Sequence, residues 1–312
     1  MPFKHKVIVF VTAILILLFI FYKQVLLQST ISNNKLNITC TTTMIADAIE
    51  QIAHDKINLN VLMGPGVDPH LYKPIEQDII KIAAADIIFY NGLHLEARMT
   101  DLFEQMNLDK TTIAVCKNIP TEMLITSPEQ HNYYDPHIWF NPKIWSYAIE
   151  TICETLQKHD QNNKNFYATN AKTYLQKINA MHEQTQKLML SIPKEQRVLI
   201  TAHDAFEYFA QAYHCKVVSL QGISTMSEAG TKDIQDLANF IVDHKIRAIF
   251  TETSIPPRAL QAVQQNVQSK GFAVRIGCEL YSDALGATGS KQATYTGMME
   301  YNVNTIVHEL RS

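Results

Sequence analysis

A chain of 312 residues, 46% hydrophobic and 18% charged, has enough apolar material for a globular core, and its length favours two domains of ordinary size over one. Its 27 basic and 30 acidic residues give a formal charge of −3, with no basic run beyond the first few positions, which argues against a nucleic-acid partner. The five cysteines include no CxxC pair, which argues against a cysteine zinc site or a thioredoxin-like motif.

At the N-terminus, Lys4 and Lys6 precede an uncharged run, Val7–Tyr22, "VIVFVTAILILLFIFY". As a helix it would reach roughly 24 Å, somewhat less than the ~30 Å hydrocarbon core of a bilayer. A basic start and an apolar centre describe an export signal. No small-x-small cleavage site lies immediately after it, where Lys23, Gln24 and Leu26-Leu27 stand, and the first cysteine, Cys40, lies too far downstream for lipoprotein processing. Residues 1–32 are therefore expected to be a signal peptide or an uncleaved membrane anchor, with the body in the periplasm or tethered to the inner membrane.

From Leu36 onward, short β-rich runs alternate with helical patterns. Strands are expected at Leu36–Thr42, Leu59–Met63, Ile87–Tyr90 and Thr112–Cys116, with helices in "TMIADAIEQIA", "PIEQDIIKIAAA" and "LEARMTDLFEQM" between them. A long loop, Lys117–Pro136, leads to a helix from Pro142 to Lys158. Phe166–Leu190 breaks the rhythm: Tyr167, Ala171, Tyr174, Ile178, Met181, Thr185 and Leu188 recur at the spacing of a single helix of about 25 residues. Strands then resume at Arg197–Thr201, Val217–Leu220, Ala248–Thr251 and Ala273–Ile276, with helices at Asp204–Tyr213, Lys232–Val242, Pro256–Gln268 and Tyr295–Leu310. The expected fold is α/β: two lobes, residues 33–160 and 194–312, each with a four-stranded parallel sheet flanked by helices, joined by one long rigid helix within 161–193.

The tripeptide Asp-Pro-His occurs twice, at 68–70 and 135–137. In each, proline restricts the backbone and the aspartate is placed to accept hydrogen bonds from turn N–H groups, so His70 and His137 sit on rigid supports. Ligands of open parallel sheets bind beyond the carboxyl ends of the strands. That rule adds His203, two residues past Thr201, and Asp283, in "GCELYSDALGATGS" after the last strand. Three imidazoles and one carboxylate make a first shell for a divalent transition metal. The expected helix beginning at Asp204 would favour a neutral His203. Neutral imidazoles are needed for ligation, so binding is expected to weaken below about pH 6.5. Glu252, in "FTETS", is a candidate partner of a ligand or an alternative ligand.

Each of these residues also has a bland reading, as an ordinary Asp-Pro turn, a helix-start contact or a turn cap. The other histidines keep the bland reading. His5, His54, His159, His182, His244 and His308 fall in the leader or on helical stretches, His131 lies on the long loop and His214 follows a helix. His94, in "NGLHLEAR", is read as packing at the rim of the cleft.

The stretches "GPGVDPHLY", "YNGLHLE", "DPHIWF", "TAHDAFEYF", "LQGISTMSEAG" and "LYSDALGATGS…TYTGMMEYNVNTIV" run in order across nearly the whole mature chain. With them the chain resembles the TroA-like metal-specific solute-binding proteins of ABC importers for zinc and manganese. The resemblance implies four-stranded lobes bridged by a rigid helix, a metal between them held by His70, His137, His203 and Asp283, and delivery to an inner-membrane permease with a cytoplasmic ATPase. Some positions depart from the family pattern. The His- and acid-rich loop of the zinc-dedicated branch is missing, since Lys117–Pro136 holds only His131. Manganese and iron receptors usually place Glu where His203 stands; Cys278 replaces a common glycine, and Tyr301 a common histidine.

The expected function is that of a monomeric binding protein with Zn²⁺ or Mn²⁺ as cargo and Fe²⁺ as a third candidate. A zinc-dependent metallohydrolase is the alternative from another class, and an iron(II) receptor with an added adhesin role is a further one. An enzyme would need an open coordination position and a nearby base, and the chain carries no HExxH or comparable arrangement.

Overall fold

The computed structural model describes residues 35–127 and 133–311. The apolar run Val7–Tyr22 and His131 lie outside them, and among the described residues no helix is long and apolar enough to cross a membrane.

Strands β1 (Leu36–Cys40), β2 (Ile57–Val61), β3 (Ile87–Tyr90) and β4 (Thr111–Ala114) form one parallel sheet in the order β2-β1-β3-β4. Parallel pairing needs a crossover between consecutive strands. Helices α1 (Thr43–Ala53), α2 (Glu76–Ala84) and α3 (Thr100–Asp109) supply them. Ile87 and Phe89 face the main core while Ile88 packs on the other side with Ile82, Met99 and Phe103, so the central strand is apolar on both faces.

Helix α4 (Pro142–His159) begins with proline in its first turn, and Asn141 caps it by accepting the Lys143 amide at 3.1 Å. Helix α5 (Lys164–Leu190) follows, 27 residues or about 40 Å long. It buries Tyr167, Ala171, Tyr174, Ile178, Met181, Thr185 and Met189 along one stripe. After α5 come β5 (Val198–Thr201), α6 (Glu207–Tyr213), β6 (Lys216–Ser219), α7 (Thr231–Asp243), β7 (Ala248–Ile249), α8 (Arg258–Ser269), β8 (Arg275–Ile276) and α9 (Tyr295–Arg311). These strands make two parallel pairs, β5-β6 and β7-β8, instead of the expected continuous four-stranded sheet. The Phe250 amide donates to the Ile200 carbonyl at 2.8 Å and sets the pairs side by side. β7 and β8 are two residues long, shorter than expected, because Glu252 and Leu280 pair only as an isolated bridge beyond them.

The main core is shared across α5. It joins Ile38, Phe89, Trp139 and Trp145 to Ile178 and to Leu199, Phe206, Phe209, Phe250, Tyr295 and Val303. A second cluster, with Ile200, Leu237, Ile241, Leu260 and Val263, lies between β5 and helices α7 and α8. The described residues from Leu36 on form one compact unit, with the main core reaching both sheet regions. The five cysteines are free; Cys40, Cys116 and Cys153 are buried and Cys278 is exposed.

Candidate metal centre

Four loops at strand ends bring His70, His137, His203 and Asp283 together, all buried, with one ligand atom of each lying within 4.8 Å of all the others. These are the four residues singled out from the sequence.

His70 follows β2. Asp68 Oδ1 accepts its amide at 2.8 Å, and the Tyr72 hydroxyl, two residues on, pins the loop by donating to Asp78 Oδ2 at 2.5 Å. His137 repeats the turn more tightly. Asp135 Oδ1 accepts its amide at 2.9 Å and stands 2.7 Å from its ring Nδ1. Asn91 Nδ2 donates to the Pro136 carbonyl at 3.0 Å, and the Tyr208 hydroxyl donates to the Asp135 carbonyl at 3.1 Å. His203 is held by Glu252, whose Oε1 accepts the Ala202 and His203 amides at 2.8 and 3.0 Å. Glu252 Oε2 lies 2.6 Å from His203 Nδ1, an ion-pair contact without the alignment of a hydrogen bond. Asp283 is oriented by Ser254, whose hydroxyl donates to Oδ2 at 2.9 Å, while Trp139 Nε1 donates to the neighbouring Ser282 carbonyl at 3.0 Å.

The Nδ1 atoms of His137 and His203 thus face carboxylates and their Nε2 atoms face one another's ligands, which fixes the atom each ring offers. His70 Nε2 is 3.3 Å from His137 Nε2; His137 Nε2 is 3.5 Å from Asp283 Oδ1; His203 Nε2 is 3.4 Å from Asp283 Oδ2. Two atoms bound to one ion at about 2.1 Å in tetrahedral directions stand about 3.4 Å apart. Asp283 Oδ1 and His203 Nε2 are buried without a hydrogen-bond partner, a costly state that a bound cation at this point would relieve.

The electrostatics differ among the rings. Burial holds His70 down to about 3, so its imidazole is neutral. Burial also works against protonation of His137, but the Asp135 charge and hydrogen bond, then Asp283, outweigh it and raise it to about 9. His203 is likewise buried, yet Glu252 and Asp283 push it well above the ordinary imidazole value. Asp283 is held well below the carboxylate range, the two cationic imidazoles overcoming its burial. The neutral His203 expected from a helix N-terminus is therefore corrected: α6 starts only at Glu207, and carboxylates surround the ring instead.

Glu252 is a partner of His203, one of the two roles its position suggested. His94 stays outside the cluster. It ends three consecutive left-handed residues, Gly92, Leu93 and His94, and packs its ring at 4.3 Å from Tyr133. Gly92 is required there, because a Cβ would meet Cys116 Sγ at 2.5 Å. Ser254 was missed; its only signal was a hydroxyl in the loop after the β7 run.

The family model described as "Zinc-uptake complex component A periplasmic" matches residues 38–309. The manganese-binding lipoprotein MntA of Bacillus subtilis is 40% identical over 280 residues, covering 90% of this chain and 91% of that protein. The manganese ABC transporter substrate-binding lipoprotein PsaA of Streptococcus mitis is 30% identical over 285 residues, 89% of this chain and 90% of its own. The solved structure of the periplasmic zinc-binding protein TroA from Treponema pallidum superposes with a TM-score of 0.87 at 42% identity, covering 89% of this chain and 99% of that one. Sequence, fold and the convergence of four strand-end loops agree, and the chain belongs to the periplasmic component A family of zinc-uptake complexes, the substrate-binding proteins of metal ABC importers.

Proposed function

We propose that this protein is an extracytoplasmic receptor that captures a divalent transition metal, with His70, His137, His203 and Asp283 as its ligands, and delivers it to an ABC permease and its ATPase. The observation that carries the reading is the burial of three imidazoles and one carboxylate whose ligand atoms lie within 4.8 Å of one another, three of the contacts at 3.3–3.5 Å and two of the ligand atoms having no hydrogen-bond partner. The two imidazoles that face carboxylates through Nδ1 keep a proton there and offer Nε2 to the ion.

The lobe assignment, residues 33–160 and 194–312 joined by 161–193, belongs to the same proposal. It is supported by parallel strands on either side of α5 and by ligands drawn two from each side. The protein acts as a monomer in the periplasm, tethered if the apolar N-terminal run is retained.

Three nitrogens and a carboxylate suit Zn²⁺, which binds such sets more tightly than Mn²⁺. Both oxygens of Asp283 stand at ligand-like distances from an imidazole, 3.5 and 3.4 Å, a geometry suited to a two-oxygen grip that also accepts Mn²⁺ or Fe²⁺. Cargo then depends on availability and on the permease. Elemental analysis of protein taken from its own compartment, without added metal or chelator, decides among them. One equivalent of Zn, Mn or Fe per chain is expected; preparations without a transition metal would contradict the function.

A further inference from the structure

The two Asp-Pro-His turns use their aspartates differently. Both Asp68 and Asp135 take the histidine amide on Oδ1, but Asp135 Oδ1 also meets the ring of its own histidine. The other oxygen of Asp68, Oδ2, instead accepts the Thr225 hydroxyl at 2.6 Å, 157 positions along the chain. Thr225 is buried and belongs to "LQGISTMSEAG", the loop after β6, which supplies no ligand.

That loop also grips the His203 turn. The Leu220 amide donates to the Thr201 carbonyl at 3.1 Å, the Gln221 amide to Ala202 at 2.9 Å, and the Asp204 amide returns to Gly222 at 3.2 Å. Gln221 Nε2 donates to the Ser227 carbonyl at 3.3 Å and closes the loop on itself. Residues 220–227 are therefore a preformed strap, fastened along one side to the turn that carries His203. Its tip is fastened by one side-chain bond to the turn that carries His70. A hydroxyl bonded to a partly buried carboxylate is among the stronger neutral-donor contacts and has a defined geometry.

We propose that the Thr225–Asp68 hydrogen bond is a latch that holds the His70 turn and the His203 turn together around the metal and so sets the rate of its release. The proposal rests on reading the four-residue cluster as the cargo site. The Thr225 hydroxyl donates to Asp68, which is outside the four-residue cluster, so it acts as a positioning residue: breaking its bond lets the two turns separate and leaves the donor set intact. Changes of this kind are expected mainly in the dissociation rate.

The test is stopped-flow transfer of Zn²⁺ from the full chain to excess chelator, for wild type, Thr225→Val and Thr225→Ser. Thr225→Val keeps the shape and removes the donor, and is expected to release Zn²⁺ roughly tenfold faster. Thr225→Ser restores the hydroxyl and should return to the wild-type rate. X-ray absorption should give the same nitrogen and oxygen shell for all three, and equal metal-free melting temperatures would show that the variants fold. Release from Thr225→Val at the wild-type rate, or equal acceleration in Thr225→Ser, overturns the latch while leaving the site intact. A wild-type protein that retains no Zn²⁺ would instead defeat the reading of the site itself.

Discussion

At the scale of single residues, the three imidazoles enter metal binding in different protonation states. His70 is neutral, whereas His137, raised to about 9, carries a proton at neutral pH that an ion at Nε2 must displace. A folded-state value above the ordinary 6.5 means that His137 stabilises the metal-free fold below about pH 6.5, and that this stabilisation disappears as pH rises through 9. His203 acts in the same direction. The loaded form has already lost these protons, so the metal-induced rise in Tm should grow between about pH 6.5 and 9. Affinity should increase about tenfold per pH unit for each proton displaced. Calorimetry in buffers of different ionisation enthalpy would count those protons; no proton release and a flat affinity over this window would contradict the assignment. The sequence alone put the window lower, at the reference value, because it does not reveal which carboxylate faces which ring. What it did reveal was position. Asp68 and Asp135 were legible as turn acceptors because an Asx turn is local, and both bonds are present. The contacts of Ser254 with Asp283 and of Thr225 with Asp68 were not legible, since each depends on folding that joins distant loops.

At the scale of elements, long periodic segments were read well and short strands less so. α1 matches the expected "TMIADAIEQIA", and α5 extends the expected helix by two residues at its start. Both have a persistent apolar stripe, which is a local signal. β7 and β8 were expected at four residues each and have two, because apolar runs show burial without showing where ladder bonding stops. The junction between elements was also hidden. Asp47 on α1 accepts the Tyr174 hydroxyl of α5 at 2.6 Å and the Tyr295 amide of α9 at 3.1 Å, so one buried carboxylate ties three helices. Asp47→Ala leaves both donors without this acceptor, and at ~1–3 kcal/mol per orphaned group the loss should be about 3 kcal/mol. Chemical denaturation of the metal-free protein would measure it, with metal stoichiometry unchanged. A stability equal to wild type would show that the junction carries no such role.

At the scale of the whole molecule, the core passes through α5, and bonds such as Tyr295 Oη to the Trp139 carbonyl at 2.7 Å and the Leu285 amide to Thr43 at 2.7 Å cross between its two sides. Wide opening would break this packing, so release should involve small tilts and loop movement. Small-angle scattering is expected to give nearly equal radii of gyration with and without metal, and a large expansion on metal removal would contradict this. The ion is then a cross-link between groups from both sides of the fold. A ligand that binds only the folded state adds RT ln(1 + [L]/Kd), about 4 kcal/mol when free metal is ~1,000 times Kd. The most direct measurement is the metal-induced rise in Tm for wild type, the four alanine variants of His70, His137, His203 and Asp283, and His94→Ala. Each of the four variants should lose most of the rise and His94→Ala should keep it; a rise abolished in His94→Ala but retained in Asp283→Ala would contradict the proposed site.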